Sequence, residues 1–376
     1  MNIVISYNKF GTSKSGGAQE SLLSLLNGVA GHQKLSAEVY QTPPVDNPPE
    51  TDFEYRIHKK HIYNIPNLTW ANQVIRRWQW KIYLREQLSS GFDFMITQDD
   101  LAPISVRVAK QYDIPCMYFI HSMPLTGHEK YDPERGHVGN LLQTDLGGRV
   151  QYPFLRKNLN DYKKAASEAT YTIANSEYTA EKIEKLFGFE PEIIYPPINL
   201  EKYRVEYNES GFITMINPRN RLKGPDIFLD IAEELPDETF LLVGPSRLNY
   251  IEKRARSLSN VRRWEWCEKI TDAYAKSKLV MVPSRWQEPF GRVPAEAMAS
   301  GIPCVVSERG GLPEVVGETG EIVKNPENVN MWIEAIYKAL TNHDPEAQID
   351  RVKRFSDETQ VEKMIALIDN IHNKKH

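Results

Sequence analysis

Residues 283–301 read Pro283-Ser284-Arg285-Trp286-Gln287-Glu288-Pro289-Phe290-Gly291-Arg292-Val293-Pro294-Ala295-Glu296-Ala297-Met298-Ala299-Ser300-Gly301, and their order decides the fold class. The run Lys278 to Val282 predicts a buried strand before them, and Ile302 to Ser307 predicts another after them. Strand, Phe-Gly turn, short helix and strand are the repeating parts of a parallel α/β sheet. Ligands of such sheets bind beyond the carboxyl ends of the strands, where this turn falls. The backbone N–H groups of Phe290, Gly291 and Arg292 at the helix start can receive a phosphate. Glu288 and Glu296, on either side of the turn, repel phosphate but suit hydroxyl groups. The expected ligand is a phosphate that carries polyols, a nucleotide-sugar.

Outward from this stretch, strand-like runs recur with helical patterns between them. One series of strands is expected near 2–6, 92–97, 115–120, 170–174 and 192–195, and a second near 211–216, 239–243, 278–283 and 302–307. Helices are expected at 17–30, 70–89, 101–112, 177–187, 225–235, 268–277, 328–341 and 357–373. Two alternating series predict two doubly wound, Rossmann-like parallel sheets. Tyr195-Pro196-Pro197-Ile198-Asn199 is the joint, because Pro-Pro continues neither a helix nor a central strand. The expected domains are 1–195 and 196–355.

The 376 residues, 41% of them hydrophobic, suffice for two cores. A net charge of −4 excludes a chain-wide polyanion binder. Cys116, Cys267 and Cys304 are widely spaced and odd in number, which favours reduced thiols over disulfides or a zinc site. Met1 to Ser6 reads as a strand without the basic leader and apolar core of a signal peptide, and no apolar run reaches bilayer length. The expectation is a cytoplasmic, soluble protein, with contact at the inner membrane surface left open.

Four further stretches carry chemistry. Gly16-Gly17-Ala18 opens the first helix and lets an anion approach the backbone, yet a plain loop-to-helix turn reads the same way. It is neither a Walker loop nor the dinucleotide fingerprint. Asn217-Pro218-Arg219-Asn220-Arg221-Leu222-Lys223-Gly224 sets three cations in a short loop, a composition suited to a diphosphate. His121, after the strand Cys116 to Ile120, is either a proton-handling group near a reacting sugar or a structural histidine. Trp264 and Trp266 offer faces for a nucleobase, with core packing an equal reading.

From Arg56 to Arg85 there are seven Lys or Arg and no Asp or Glu, with Trp70, Trp78, Trp80 and Tyr83 interleaved. This stretch either lies on an anionic membrane or acceptor, or packs on the first domain through the stripe Val74, Trp78 and Ile82. Packing through the stripe, with a solvated basic face, is the working expectation. Nucleic acid is not expected, since no recognised binding motif accompanies the patch.

The run EPFGRVPAEAMASGIPCVVSERGGLPEVVG, with Gly310, Gly311, Pro313 and Glu314 in its sequel, resembles the signature of the retaining family 4 glycosyltransferases, whose fold is GT-B. The resemblance implies two Rossmann-like domains facing across a cleft, with the acceptor on the first and the UDP- or GDP-sugar chiefly on the second. It also implies that the last helix, 356–376, packs back on the first domain. Carried over, Glu288 lies near the donor sugar hydroxyls and Glu296 binds the ribose. Lys223 and Arg219, with Arg221 in reserve, stabilise the leaving diphosphate together with the N–H groups at Phe290 and Gly291. Gly16 and Gly17 close over the diphosphate, and His121 approaches the donor sugar. The usual Gly beside Trp264 and Trp266 is missing, which leaves the base undecided.

No Asp-x-Asp triplet occurs in the chain. The expected reaction is metal-independent front-side transfer with retention and without a cofactor. The acceptor is a carbohydrate, lipid-linked or other hydroxyl. A GT-B epimerase or phosphorylase, and a non-catalytic sugar-nucleotide-binding module, are the rival readings.

Overall fold

Two parallel sheets, one in each half of the chain, organise the computed structural model, which describes residues 1–7, 17–42, 49–88, 91–121, 141–142 and 146–375. The chain divides into one unit of Met1–Tyr195 with Val361–His376 and a second of Pro196–Gln360.

In the first unit the strands are β1 (Asn2–Tyr7), β2 (Ser36–Gln41), β3 (Glu54–Lys59), β4 (Phe94–Gln98), β5 (Cys116–Ile120), β6 (Tyr171–Ala174) and β7 (Glu192–Ile193). Its helices are α1 (Gly17–His32), α2 (Thr69–Gln87), α3 (Ala102–Gln111), α4 (Leu146–Glu168) and α5 (Glu177–Phe187). The sheet runs β3-β2-β1-β4-β5-β6-β7, with every pairing parallel. Strand periodicity divides the core. Ile3, Ile5, Phe94, Ile96 and Met117 pack with Leu22, Leu25 and Val29 of α1. Val4, Met95, Tyr118 and Ile120 face Trp80 and Leu84 of α2 and Val106 of α3. With helices on both faces the central strands are largely apolar, which is why runs such as Ile3 to Ile5 and Phe94 to Ile96 read as unbroken. Trp80 is fully buried, and its indole N–H donates to Ser6 Oγ at 3.0 Å.

The second unit opens with α6 (Leu200–Tyr203) and carries β8 (Phe212–Ile216), β9 (Phe240–Val243), β10 (Val261–Trp264), β11 (Ser277–Val282), β12 (Cys304–Ser307) and β13 (Glu321–Val323). Between and after them lie α7 (Pro225–Glu234), α8 (Asn249–Ser257), α9 (Ile270–Tyr274), α10 (Arg292–Met298), α11 (Leu312–Val316), α12 (Val329–Thr341) and α13 (Pro345–Lys353). The sheet order is β10-β9-β8-β11-β12-β13, again all parallel. This is the doubly wound order, whose direction reverses between β8 and β11 and leaves a crevice beyond their carboxyl ends. The last helix, α14 (Asp357–Lys375), belongs from Val361 onward to the first unit, where Val361, Met364, Ile368 and Ile371 join the α1 side of the core. A Cβ on Gly28 of α1 would lie 2.2 Å from Val361 Cγ2, so glycine permits that helix contact.

Several elements were not anticipated. β2 and β3 escaped because alternation is masked by polar and charged residues in Ser36–Gln41 and Glu54–Lys59. α4 was missed because Gly147, Gly148 and Pro153 argue against a helix while Tyr152, Leu155, Asn158 and Tyr162 bury one face of it. The segment 56–85 also needs correction. Its first residues form β3, and α2 packs inward through Trp70, Arg77, Trp80 and Leu84. The stripe expected to pack instead faces out, with Trp78 63% and Ile82 42% exposed. Both stripes have helical spacing, so periodicity alone did not choose between them.

Candidate functional site

β8 ends at Ile216, and Asn217 turns the chain with φ 64°, after which residues 218–224 form the basic loop. Gly224 closes the loop with φ 76°, where a Cβ would lie 1.9 Å from the Pro283 carbonyl oxygen. Only glycine allows this approach, and it draws the loop against the segment that follows β11. The backbone N–H groups of Arg285 and Trp286 donate to the Leu222 carbonyl at 2.7 and 3.1 Å. The Arg285 guanidinium donates to the Arg221 carbonyl at 3.0 Å and pairs with Asp226 of α7 and with Glu327.

Lys223 and Glu288 therefore meet at the switch point. Lys223 Nζ is 2.6 Å from Glu288 Oε1, and the Ser284 hydroxyl donates to the same oxygen at 2.9 Å. The Gly311 N–H donates to the Glu288 carbonyl at 2.7 Å, and a Cβ on Gly310 (φ 62°) would meet that carbonyl oxygen at 2.0 Å. The Gly310-Gly311 pair is thus the backbone support of Glu288. Of the two arginines left open by the sequence, Arg221 pairs with Asp226 at 3.5 Å. Arg219 is exposed and makes no side-chain ion pair among the described residues.

Glu296 sits on α10, one turn inside the helix, and is 8% exposed. The Tyr274 hydroxyl donates to its Oε2 at 2.9 Å, and Arg292 Nε donates to its Oε1 at 3.1 Å. Burial, and then the Glu296 charge, push the Tyr274 hydroxyl well above the ordinary tyrosine range, so Tyr274 remains a donor. The helix starts at Arg292 with Gly291 as its N-cap at φ 129°. The Phe290 side chain is buried edge-on against Phe355, with ring centroids 5.0 Å apart, so only its backbone is available to a ligand.

Trp264 and Trp266 differ. Trp264 packs against the small apolar cluster of Leu241, Val243 and Ala273, whereas Trp266 is 79% exposed. Both line a depression of about 490 Å³ with Glu268, Asp272 and Lys276, and neither Glu288 nor Lys223 lines it.

In the first unit His121 directly follows β5. Its backbone carbonyl accepts from Asn175 Nδ2 at 2.9 Å, and its ring stacks on Phe119. Part of the residue reaches solvent, yet enough protein surrounds the ring that desolvation pulls its pKa down to about 4, leaving it neutral at pH 7. Its Nε2 has no hydrogen-bond partner among the described residues. Gly17 is the first residue of α1, and Gly16 lies outside the described residues.

The sequence reading missed several supporting groups: Ser284 and Arg285 inside the quoted stretch, Tyr274 on α9, and Arg292 as the partner of Glu296. Gln98 ends β4, beside the switch point between β1 and β4, and is 1% exposed with neither amide atom hydrogen-bonded among the described residues. Nothing in the one-dimensional pattern marks it, because a Gln at a strand end is ordinary until its burial is known.

Comparison with known proteins supplies the family. Residues 15–202, half of the chain, match Glycosyltransferase Family 4, and residues 209–342 match Glycosyl transferases group 1. The chain is 30% identical over 174 residues to spore coat protein SA of Bacillus subtilis, covering 41% of this chain and 46% of that one. It is 28% identical over 212 residues to the D-inositol 3-phosphate glycosyltransferase of Rhodococcus erythropolis, covering 48% of each. It thus spans about half the length of the curated relatives it matches. Among solved structures, sucrose-phosphate synthase from Thermosynechococcus elongatus superposes with TM-score 0.75 at 18% identity over 99% of both chains. HepE of Anabaena in complex with UDP superposes with TM-score 0.70 at 18% identity, over 98% of this chain and 100% of the other. The fold is therefore GT-B, as the glutamate motif implied, and the chain belongs to glycosyltransferase family 4.

Proposed function

We propose that this chain is a retaining glycosyltransferase that moves a sugar from a nucleoside-diphosphate sugar to an acceptor hydroxyl. The observation that carries the reading is the Lys223–Glu288 pair at the β8/β11 switch point, with Glu296 held nearby on α10. A donor has an anionic diphosphate and neutral hydroxyls, and the site offers one cation and one carboxylate already in contact. When the donor binds, Lys223 turns to a diphosphate oxygen and Glu288 accepts from the sugar hydroxyls. Glu296, oriented by Tyr274 and Arg292, accepts from the ribose hydroxyls.

In the reaction the bond from the anomeric carbon to the diphosphate oxygen breaks. The acceptor oxygen bonds to the same face, and its proton passes to the departing phosphate oxygen. Charge grows on the leaving group, so Lys223 and Arg219 stabilise the transition state more than the bound donor. This chemistry asks for no cofactor and no metal. His121 and the residues Gly16 and Gly17 keep the roles that the family resemblance implies, and the first unit selects the acceptor. Solved proteins of this fold were captured with UDP and with UDP-glucose, which makes uridine donors the first to try.

The test is diphosphate release from UDP-, GDP- and ADP-sugars, with thermal shift on each. One donor that raises the melting temperature and is slowly hydrolysed supports the reading. Stabilisation with no release, in the presence of a broad acceptor panel, would instead make the chain a binding module.

A further inference from the structure

α2 and α4 lie side by side in the first unit. Trp70 packs edge-on against Tyr152, Asn158 Nδ2 donates to the Trp70 carbonyl at 3.1 Å, and Arg77 pairs with Asp161 at 3.4 Å. These contacts use the inner sides of the two helices, so their outer sides adjoin on the surface. Those outer sides are apolar. Trp78 and Ile82 project from α2, and Leu146, Val150 and Phe154 project from α4 at four-residue spacing, Leu146 and Val150 being 79% and 71% exposed. Tyr63, in the loop before α2, is exposed and is tied beside that helix, its backbone N–H donating to Gln79 Oε1 at 3.0 Å.

Cations predominate around this surface, with Glu86, one turn after Ile82, the carboxylate at the end of the α2 stripe. Residues 59–85 contain no Asp or Glu, and neither do residues 146–160, while Lys81, Arg85, Arg149, Arg156 and Lys157 lie among the apolar groups. Asp161, the next carboxylate along α4, is already shared by Arg77, Arg107 and Lys157. A soluble monomer scatters large apolar side chains singly, and a clustered set marks an interaction surface. A second copy of the chain is a poor occupant, because a two-fold interface would set these cations against themselves. A bilayer with anionic headgroups matches both properties: protruding Trp, Phe, Leu and Val enter the headgroup boundary while Lys and Arg meet the phosphates.

We infer that the outer face of α2 and α4 docks the protein on an anionic phospholipid surface. No helix among the described residues is long and apolar enough to cross a membrane, so the attachment is peripheral. It stands on its own exposure and charge pattern and is independent of the proposed transfer activity.

The test is flotation of the full chain with vesicles of phosphatidylcholine alone and with vesicles that also contain phosphatidylglycerol, at low and high salt. Binding is expected only to the anionic vesicles and is expected to weaken with salt. Trp78→Ser with Phe154→Ser, and separately Arg149→Glu with Arg156→Glu, should each weaken it about tenfold or more. Circular dichroism melts of both variants identify any loss of fold, and the charge pair leaves the apolar packing untouched. No binding to anionic vesicles, or binding that both folded variants retain, overturns the inference. A salt-resistant dimer abolished by Trp78→Ser with Phe154→Ser would reassign the face to self-association.

Discussion

Lys223 Nζ stands 2.6 Å from Glu288 Oε1, and this one ion pair joins the loop after β8 to the loop after β11. Both side chains are largely shielded, at 30% and 13% exposure, so neither charge is left uncompensated in the free protein. In the proposed function, a diphosphate that competes for Lys223 would release Glu288 toward the sugar. The pair is therefore a candidate for a site that is neutral at rest and becomes complementary to the donor on binding.

Lys223→Ala is expected to lower kcat by about 100- to 1,000-fold and to raise the donor KM much less, because charge develops on the leaving group during transfer. Steady-state kinetics with saturating acceptor check this. Matched losses in binding and turnover would make Lys223 a ground-state contact only.

The two loop arginines should separate. Arg221 is engaged with Asp226, whereas Arg219 makes no ion pair among the described residues. Arg219→Ala should therefore cost about tenfold or more in kcat/KM, and Arg221→Ala several-fold less. The reverse order would move the diphosphate toward Asp226 and α7.

The structural role of Glu296 and the ribose role proposed for it can be pulled apart by mutation. On the proposed reading Glu296→Ala removes a ribose partner, worth about 1.5–3 kcal/mol per charge-assisted bond, so the donor KM should rise roughly 10- to 100-fold. It also leaves the buried Tyr274 hydroxyl with only its longer, 3.4 Å contact to the Val293 carbonyl, at about 1 kcal/mol of stability. Tyr274→Phe should lower stability by about 1 kcal/mol while leaving the donor KM nearly unchanged. A large KM change in Tyr274→Phe would show that orientation of Glu296, rather than its charge, governs donor binding.

His121 should shape stability on the acid side. Its folded pKa, about 4, lies below the ordinary 6.5, so between those values the unfolded chain binds the extra proton. Stability is unaffected by this group above pH 6.5 and falls as pH drops from 6.5 toward 4. Melting curves of wild type and His121→Asn across that window should converge toward neutral pH and diverge below it, with the variant losing less. Because the ring is neutral at pH 7, kcat/KM should show no histidine-type limb near pH 6–7. A limb there that disappears in His121→Asn would assign the residue a protonated catalytic form.

The central strands were legible because residues such as Ile3 to Ile5 and Leu279 to Met281 are covered on both faces and read as unbroken apolar runs. β2 and the edge strands β3, β10 and β13 carry charges or partial exposure, and their pattern fades into loop composition. Among candidate site residues, those inside compact motifs were visible, Glu288 and Glu296 most of all. Ser284, Tyr274 and Arg292 as the partner of Glu296 were not, because a supporting role depends on what lies opposite in space.

By itself the sequence determined the two α/β series, the joint at Pro196-Pro197 and the glutamate motif that carries the family, since each is written in local spacing and turn chemistry. The tertiary structure alone decided that Lys223 contacts Glu288 across 65 residues, that Arg221 is the engaged arginine, and that Trp78 and Ile82 face outward. Helical spacing names the two stripes of α2 but cannot rank them. Only the packing of Trp70 and Trp80 against the rest of the first unit shows which stripe is buried.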